Sequence, residues 1–302
     1  MKQQIVGLGE ILWDVFPDGP RFGGAPANAA CSAAELAGEN ARVVMVSGVG
    51  EDPLGEEALA ALYAHGVDVR GVQRNRWSTG RVDVTLDAAG MASYHFAEDS
   101  AWDHLAWSEE SAQLAAETSA VCFGTLGQRH EEARRFIRAF VKAVPDSALR
   151  VLDVNLRPPY DDDRVILESL ELCNVLKLND EELPRVATLC RCHGGPVDVM
   201  HELAERYHLK AIALTRSAAG AVLLCRGRLS DRGGRPVTVA DTVGAGDAYT
   251  AAMMLGLLAG HDVDAINAWA IDVASHACGV AGGTMPFPHE LHFRDKETLK
   301  GS

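Results

Sequence analysis

The sequence predicts an α/β fold, in which helices cover both faces of a mainly parallel sheet. Short apolar runs alternate with helical patterns along most of the 302 residues, and this alternation is typical of a parallel sheet between two helical layers. In residues 69–96, charged and apolar residues alternate instead, which predicts antiparallel strands and a hairpin. We therefore expect one large domain, 1–302, that carries a small antiparallel insert.

The composition is that of an ordinary globular protein. Apolar residues make up 47% and charged residues 23% of the chain, which excludes a disordered or collagen-like protein. A formal charge of −14, without a basic block, argues against binding of nucleic acid or an anionic membrane. Seven cysteines, an odd number mostly within apolar runs, are typical of a reduced, cytoplasmic protein. Glu10 and Asp14 interrupt the first apolar stretch, which therefore does not resemble a signal peptide.

The first half of the chain begins with a strand over 5–9. An Ala-rich segment with Pro26 near its start and Gly38 just past its end predicts a helix. A strand over 42–47 and a helix over 54–64 follow. The alternating stretch comes next, with a turn at Asp87–Gly90.

The second half returns to strand and helix alternation. Strands are expected at 121–124, 151–155, 175–179 and 211–215, a surface hairpin at 226–236, and a long helix after 246. In open parallel sheets the active site lies at the carboxyl ends of the strands. The polar and glycine residues at these ends are Glu10, Asp14, Gly48, Gly50, Thr125, Asn155, Arg157, Asn179, Glu182 and Thr215, followed by the segment from Asp241.

The segment DTVGAGDAY (241–249) carries the strongest signal. Gly244, Ala245 and Gly246 precede the long helical pattern, and small residues at a helix start let a phosphate approach the free amides and the helix dipole. Asp247 lies in that first turn, where it is placed to accept a proton from a hydroxyl that attacks a phosphoryl group. A simpler reading is that acids near helix N-termini are favoured in any case.

A second segment, FGGAPANAA (22–30), places two glycines before a helix. Gly23 and Gly24 permit close approach to the backbone, and Asn28 lies in the first helical turn. Asn28 either caps the helix or binds a sugar hydroxyl. An ordinary glycine turn into an amphipathic helix explains the pattern equally well.

Together, GGAPANAA and DTVGAGDAYTAAMM resemble the two signatures of the PfkB/ribokinase family of carbohydrate kinases. GVGEDPLG (48–55), DVNLRP (153–158), KLNDEE (177–182) and TRSAAG (215–220) follow in the matching order, so that the resemblance covers nearly the whole chain. It implies a ribokinase-like three-layer α/β/α sandwich with a β lid formed by parts of roughly 10–24 and 69–104. It also implies an ATP-dependent sugar kinase that uses Mg²⁺, and a homodimer built through the lid.

The resemblance also implies roles for individual residues. Asp247 matches the catalytic base, and the anion hole matches Gly244, Ala245 and Gly246. The sugar pocket matches Asp14, Gly23, Gly24 and Asn28. Asn179 and Glu182 match the element that organises Mg²⁺ through water, and Thr215 and Gly220 match the nucleotide loop. Asp241 and Thr242 match a loop that binds a monovalent cation in many members, so that K⁺ is a further candidate.

Two more residues are candidates from their positions alone. Lys177 is the only lysine in a strand that leads into the proposed site, which suggests nucleotide binding; the alternative is an exposed lysine at a strand end. Arg157 follows a strand, where a guanidinium suits a phosphate or a sugar carbonyl, and a surface role is the alternative.

The chain departs from the family pattern at two places. Ser217 replaces the first glycine of the nucleotide loop; a serine keeps this turn if its φ stays negative, and we expect altered geometry rather than lost binding. HFAEDSAWDHL (95–105) lacks an aromatic–Arg element that many fructokinases carry. The resemblance to fructokinases rests mainly on GEILWD (9–14) with GGAPAN.

Other functions remain open or are excluded. The acceptor alternatives are ribose, 2-keto-3-deoxygluconate, or a nucleoside whose base would need a platform such as Tyr94, Phe96 or Trp102. A sugar sensor on a kinase scaffold is a reading from a different class. A Rossmann dehydrogenase is excluded because Leu12 occupies the third glycine position of the fingerprint, and no Walker motif occurs.

Overall fold

A computed structural model describes residues 2–17, 19–86 and 92–293. The strands are β1 (Gln3–Leu8), β2 (Leu12–Phe16), β3 (Gly19–Gly23), β4 (Ala41–Gly50), β5 (Asp68–Asn75), β6 (Gly80–Leu86), β7 (Ala92–Phe96), β8 (Ala120–Phe123), β9 (Leu149–Asp153), β10 (Val175–Asn179), β11 (Ala211–Thr215), β12 (Ala221–Cys225) and β13 (Arg228–Arg232). The helices are α1 (Ala25–Ala37), α2 (Pro53–Ala64), α3 (Glu109–Ala116), α4 (Glu131–Ala143), α5 (Asp163–Leu170), α6 (Glu182–Cys190), α7 (Pro196–Arg206), α8 (Ala245–Leu258) and α9 (Val263–Cys278).

The larger sheet has nine strands in the order β13-β12-β11-β10-β9-β8-β1-β4-β5. All pairs from β11 to β5 are parallel, and β12 and β13 extend the sheet as an antiparallel hairpin. Of the hairpin predicted at 226–236, residues 226–232 form the turn and the outer strand β13 at the sheet edge, and its first strand is β12, before the predicted range. The central strands are buried along almost their whole length, because helices cover both faces.

Two apolar cores lie on opposite faces of this sheet. One core packs α1, α2, α8 and α9 against the strands, and the other packs α3 to α7 against the opposite face. These layers confirm the predicted α/β architecture. No described helix is long and apolar enough to cross a bilayer, and all seven cysteines, which fall within the described ranges, are free thiols.

Helix α4 shows how the sequence sets one of these contacts. Its buried residues are Ala133, Phe136, Ile137, Phe140 and Val141, and this i, i+3, i+4 spacing places them on one face. Two glutamates occupy its first turn, where the helix dipole stabilises negative charge. The helix begins directly after His130.

The smaller sheet has four strands in the order β3-β2-β6-β7. Strand β2 pairs antiparallel with β3 and parallel with β6, and β6 pairs antiparallel with β7. The sheet is therefore mixed rather than purely antiparallel. The predicted turn at Asp87–Gly90 lies outside the described residues.

The expectation that residues 69–75 join the antiparallel insert is wrong. They form β5, which pairs parallel with β4 at the edge of the larger sheet. Most of the β5 side chains are only partly buried, because an edge strand has one flank open to solvent. Its charged residues therefore produce the alternation that suggested an exposed antiparallel strand.

Candidate active site

The N-terminus of α8 forms the centre of the site. Gly244 precedes the helix with φ of 79°, and a Cβ at this position would lie 2.4 Å from the carbonyl oxygen of Gly283. Only glycine fits this close approach. The amides of Gly246 and Asp247 belong to the first turn, where helix geometry provides no intrahelical acceptor. The turn therefore leaves these two amides without intrahelical partners at the position where the sequence predicts an anion-binding turn.

Asp247 joins the two sequence motifs directly. The amide Nδ2 of Asn28 on α1 donates a hydrogen bond of 2.9 Å to Oδ2 of Asp247, across 219 positions of sequence. Asn28 is therefore not a cap, and Gly24 is instead the N-cap residue of α1. Burial and then the charge of Asp153 raise the pKa of Asp247 to about 6, although Asn28, Lys177 and Arg157 act against this rise. A carboxylate that served only the helix dipole would have no need of this buried partner.

Beneath the first turn of α8 lies a buried ion pair. Nζ of Lys177 on β10 is 3.0 Å from Oδ1 of Asp153 on β9, and the hydroxyl of Thr250 donates to Oδ2 of Asp153 at 2.9 Å. A Cβ on Gly246 would lie 3.1 Å from Nζ of Lys177, so the ammonium adjoins the anion-binding turn. Burial lowers the pKa of Lys177, but Asp153 and further acids outweigh it and the net direction is upward.

The pair of Lys177 and Asp153 contradicts one alternative reading of Lys177 and adds two residues to the candidate site. Lys177 is only 5% exposed, so the reading as an exposed strand-end lysine is wrong. Asp153 and Thr250 were missed as site residues. A signal was available for Asp153, because a lysine inside a buried strand needs a charged partner nearby.

The proposed sugar residues lie on the small sheet and the loops beside it. Asp14 is on β2, and a Cβ on Gly23 of the paired strand β3 would lie 2.9 Å from Oδ2 of Asp14. Burial raises the pKa of Asp14, and Arg157 and Arg21 oppose this rise. Gly24 has φ of 106° and passes over the backbone of Glu10, where a Cβ would lie 2.5 Å from the carbonyl oxygen.

Arg157 is exposed, yet its charge acts on the half-buried Asp14 and on two buried acids. It lowers the pKa values of Asp14, Glu10 and Asp247. Its guanidinium also donates to the carbonyl of Leu156 at 2.9 Å. Arg157 therefore belongs to the electrostatics of the site despite its exposed position.

Glu10 is a buried acid that the sequence places at a strand end, but to which the sequence analysis assigns no role in the site. It is 2% exposed, and its Oε1 accepts a hydrogen bond of 3.3 Å from the amide of Ala25. Its Oε2 is buried without a hydrogen-bond partner among the described residues, and burial raises the pKa of Glu10 to about 7. Together with Thr125, Asp153 and other residues, it lines a small cavity. Its position at the end of the first strand was the signal for it.

Asn179 and Glu182 form one hydrogen-bonded unit at the end of β10. The carboxylate of Glu182 accepts hydrogen bonds from the amides of Leu156 at 2.9 Å and Asn179 at 2.8 Å. Oδ1 of Asn179 in turn accepts from the amide of Glu182 at 2.8 Å. Burial raises the pKa of Glu182, and Lys177 opposes this rise. The unit holds one carboxylate rigidly beside the ion pair, with lone pairs left for water.

The predicted nucleotide loop follows β11. Ser217 has φ of 47°, so its φ does not stay negative, and the serine adopts the conformation that glycine usually supplies. Gly220 has φ of 84°, and a Cβ there would lie 2.1 Å from the carbonyl oxygen of Arg232. The hydroxyl of Thr215 donates to the carbonyl of Leu178 at 3.5 Å.

Asp241 and Thr242 belong to the loop that precedes α8. Asp241 accepts hydrogen bonds from the amides of Val243 at 3.0 Å and Gly282 at 3.1 Å. The carbonyl of Thr242 accepts from the amide of Ala245 at 3.4 Å. These contacts fix the start of the helix against the segment at 282.

Comparison with known proteins agrees with this geometry. The profile described as pfkB family carbohydrate kinase matches residues 19–290. A fructokinase from Klebsiella pneumoniae is 30% identical over 301 residues, 94% of each chain. A sugar kinase from Pyrococcus horikoshii in complex with ATP is 25% identical, with a TM-score of 0.77 over 98% of this chain and 97% of that one.

A second similar structure is named for a different activity. The 2-dehydro-3-deoxygluconokinase from Thermotoga maritima shares 17% identity, with a TM-score of 0.81 over 95% of each chain. At this identity the likeness shows the fold alone. The family profile covers most of the chain and both of its motifs, and the chain belongs to the pfkB family of carbohydrate kinases.

Proposed function

We propose that the protein transfers the γ-phosphoryl group of ATP to a hydroxyl of a small sugar, and that the sugar is fructose. The observation that carries this proposal is Asp247, a buried carboxylate in the first turn of α8 with a pKa raised to about 6. A general base works best when its pKa lies near the working pH. Fructokinase relatives at about 30% identity support the choice of sugar.

In the proposed transfer, each step depends on particular residues of this chain. Asp247, held in place by Asn28, accepts the proton of the attacking hydroxyl. The first-turn amides of α8 hold the transferred group, with Gly244 and Ala245 shaping the turn. Lys177 adds positive charge beneath this turn. Charge neutralisation and positioning are the main requirements of phosphoryl transfer.

Mg²⁺ and ATP fit the remaining residues. Mg²⁺ would supply neutralisation of the phosphate oxygens, and Glu182 with Asn179 would hold it through water, since Mg²⁺ usually keeps several of its waters. Thr215 and Gly220 would line the nucleotide. The loop of Asp241 and Thr242 is the candidate for K⁺.

The acceptor pocket is proposed from Asp14, Gly23, Gly24, Asn28 and Arg157. Carboxylate and amide groups suit sugar hydroxyls. The small sheet that carries Asp14 is proposed to act as a lid and to pair with a second copy of the chain. A monomer in light scattering at micromolar concentration would contradict the pairing.

One observation weighs against a nucleoside acceptor. Trp102 is 1% exposed, and the guanidinium carbon of Arg129 lies 4.1 Å from its ring centroid. Phe96 meets Tyr160 edge to face at 5.6 Å. Trp102 therefore offers no free face for a base, and Phe96 already has an aromatic partner. The side chain of Tyr94 lies outside the described residues.

The test is coupled ADP release with Mg-ATP against fructose, ribose, 2-keto-3-deoxygluconate and adenosine, with and without K⁺. We expect the highest kcat/KM with fructose. Silence across the panel with ATP still bound would favour the sensor, and a higher kcat/KM with another acceptor would overturn the choice of fructose.

A variant pair tests the proposed base. Asp247→Asn should lower kcat by about 10²–10⁴-fold with ATP binding retained. Glu109→Gln, which removes an exposed acid from the first turn of α3, should not change kcat. Turnover of Asp247→Asn within tenfold of the parent would remove Asp247 from the mechanism.

A further inference from the structure

A cluster of metal-ligating side chains lies where the chain leaves the small sheet. It consists of Asp99, His104 and His130, which together offer one carboxylate oxygen and two ring nitrogens within 4.8 Å of one another. It is the one group of this kind that the described residues form. None of its members belongs to the candidate active site.

Two separate parts of the fold meet in this cluster. Asp99 and His104 follow β7, and His130 directly precedes α4. The ring of Trp77 stacks on His104 at 4.0 Å with an interplanar angle of 10°, and the rings of His104 and His130 are 4.7 Å apart. The orientation of His104 is therefore fixed by packing before any ligand binds.

One ring nitrogen of His104 faces a carboxylate. Its Nδ1 lies 2.8 Å from Oε2 of Glu132, and in the tautomer that donates this N–H to the carboxylate, Nε2 carries a lone pair. That Nε2 is buried without a hydrogen bond among the described groups and lies 3.5 Å from Oδ1 of Asp99. In that tautomer the lone pair on Nε2 and this carboxylate oxygen are both available to a cation between them.

His130 adds a further nitrogen of the same kind. Its Nδ1 is buried and, within the described ranges, has no hydrogen-bond partner. A buried polar atom without a partner is uncommon and calls for an explanation. A bound ion satisfies both histidine nitrogens at once.

The local charge also favours a cation. Asp99 and Glu132 each bring a carboxylate to the cluster. The nearest arginine in sequence, Arg129, is neutralised by Asp103 at 2.6 Å. A cation at the cluster therefore meets two acids and no uncompensated arginine from this segment.

We propose that Asp99, His104 and His130 bind a divalent transition metal, with Zn²⁺ as the best fit, and that Glu132 orients His104. Imidazole and carboxylate ligands suit Zn²⁺. Zn²⁺ bonds of about 2.0–2.1 Å in a tetrahedral site bring ligand atoms to about 3.3 Å apart, so small side-chain rotations close the cluster. Water takes the fourth position, and the ion ties the segment after β7 to the start of α4.

The test uses the untagged full-length protein, stripped with a chelator, and Zn²⁺ alone. Competition with a chromophoric chelator should show one tightly bound equivalent, and Co²⁺ should give a visible absorption band on the same site. His104→Ala and His130→Ala should each weaken binding more than a hundredfold. Glu132→Gln should weaken it about 10–100-fold, as loss of a partner that orients a ligand does.

A matched control is present in the chain. His65 forms the same kind of pair with Glu35, at 2.9 Å, but belongs to no cluster of three ligands in the described part of the chain. His65→Ala should therefore leave Zn²⁺ affinity unchanged.

The change in Tm on addition of Zn²⁺ provides a second test, which does not depend on variants that fold poorly. His104→Ala removes the partner of Trp77, whereas Asp99 is exposed, so that Asp99→Asn keeps the fold. Zn²⁺ should raise the Tm of the parent and have a smaller effect on Asp99→Asn. No saturable binding by the parent, or affinity unchanged in His104→Ala and His130→Ala, would overturn the proposal, and so would an equal loss in His65→Ala.

Discussion

Glu10 should make the stability of this protein depend on pH. The side chain is 2% exposed, one of its oxygens has no hydrogen-bond partner among the described residues, and burial raises its pKa from an ordinary 4.5 to about 7. Between pH 4.5 and 7, the folded state therefore keeps a proton on Glu10 that the unfolded chain has released. The perturbation is Glu10→Gln, which retains an oxygen to accept from the amide of Ala25 but cannot ionise.

The sign and size follow from linkage between protonation and folding. Between pH 4.5 and 7 the folded state binds more protons, so the free energy of unfolding falls as pH rises. At about 1.4 kcal/mol for each pKa unit, the full loss is about 3 kcal/mol. Roughly 2.5 kcal/mol of this falls between pH 5 and pH 8. Any cost of the new amide is the same at both pH values and cancels in the comparison.

The assay is guanidinium unfolding of the parent and Glu10→Gln at pH 5 and pH 8. The parent should lose about 2.5 kcal/mol more than the variant between these pH values. The control is Glu57→Gln, which removes an exposed glutamate from α2 and should follow the parent. An equal loss in the parent and Glu10→Gln would refute the raised pKa.

Three further predictions concern the active site. Because the pKa of Asp247 is about 6, kcat/KM should fall with unit slope as pH drops below 6 in a pH–rate profile; a flat profile down to pH 5 would contradict its role as base. Lys177→Met leaves the carboxylate of Asp153 buried without its charged partner. In denaturant titration, this variant should lose about 3–5 kcal/mol of unfolding free energy. Adding Asp153→Leu should recover much of this loss. Gly283→Ala places a Cβ 2.8 Å from Nδ2 of Asn28, which should push the Asn28 side chain away from Asp247. We expect kcat/KM in the coupled assay to fall about tenfold to a hundredfold. An unchanged kcat/KM would show that the contact between Asn28 and Asp247 is not needed.

Much of the fold was predictable because buried parallel strands leave a simple pattern. Runs such as 211–215 are apolar up to a polar last residue, and the rule of carboxyl ends then places these polar residues together. The identity of β5 was not predictable in this way. Its neighbours are set by sheet order, which periodicity does not encode.

The site residues likewise divide into those that local sequence signals indicate and those that depend on distant contacts. Asp247 and Asn28 stand next to glycines and a helix start, which are local signals. Asp153 lies inside an apolar run, and its role in the site depends on Lys177, which belongs to the next strand. The positive φ of Ser217 is imposed by the surrounding loop rather than by serine itself. Such features arise from contacts between distant parts of the chain, which local patterns do not specify.

The bond between Asn28 and Asp247 also bears on synthesis of the chain. At roughly 5–20 residues per second, a gap of 219 positions separates the emergence of these residues from the ribosome by about 10–45 s. During this time the face of α1 that later packs on α8 has no cover, and β1 waits for β8 to complete its pairing. Nascent chains that end before α8 should therefore be sensitive to protease and bound by chaperones. A truncated chain would also lack the proposed base, so premature termination would yield no partly active kinase.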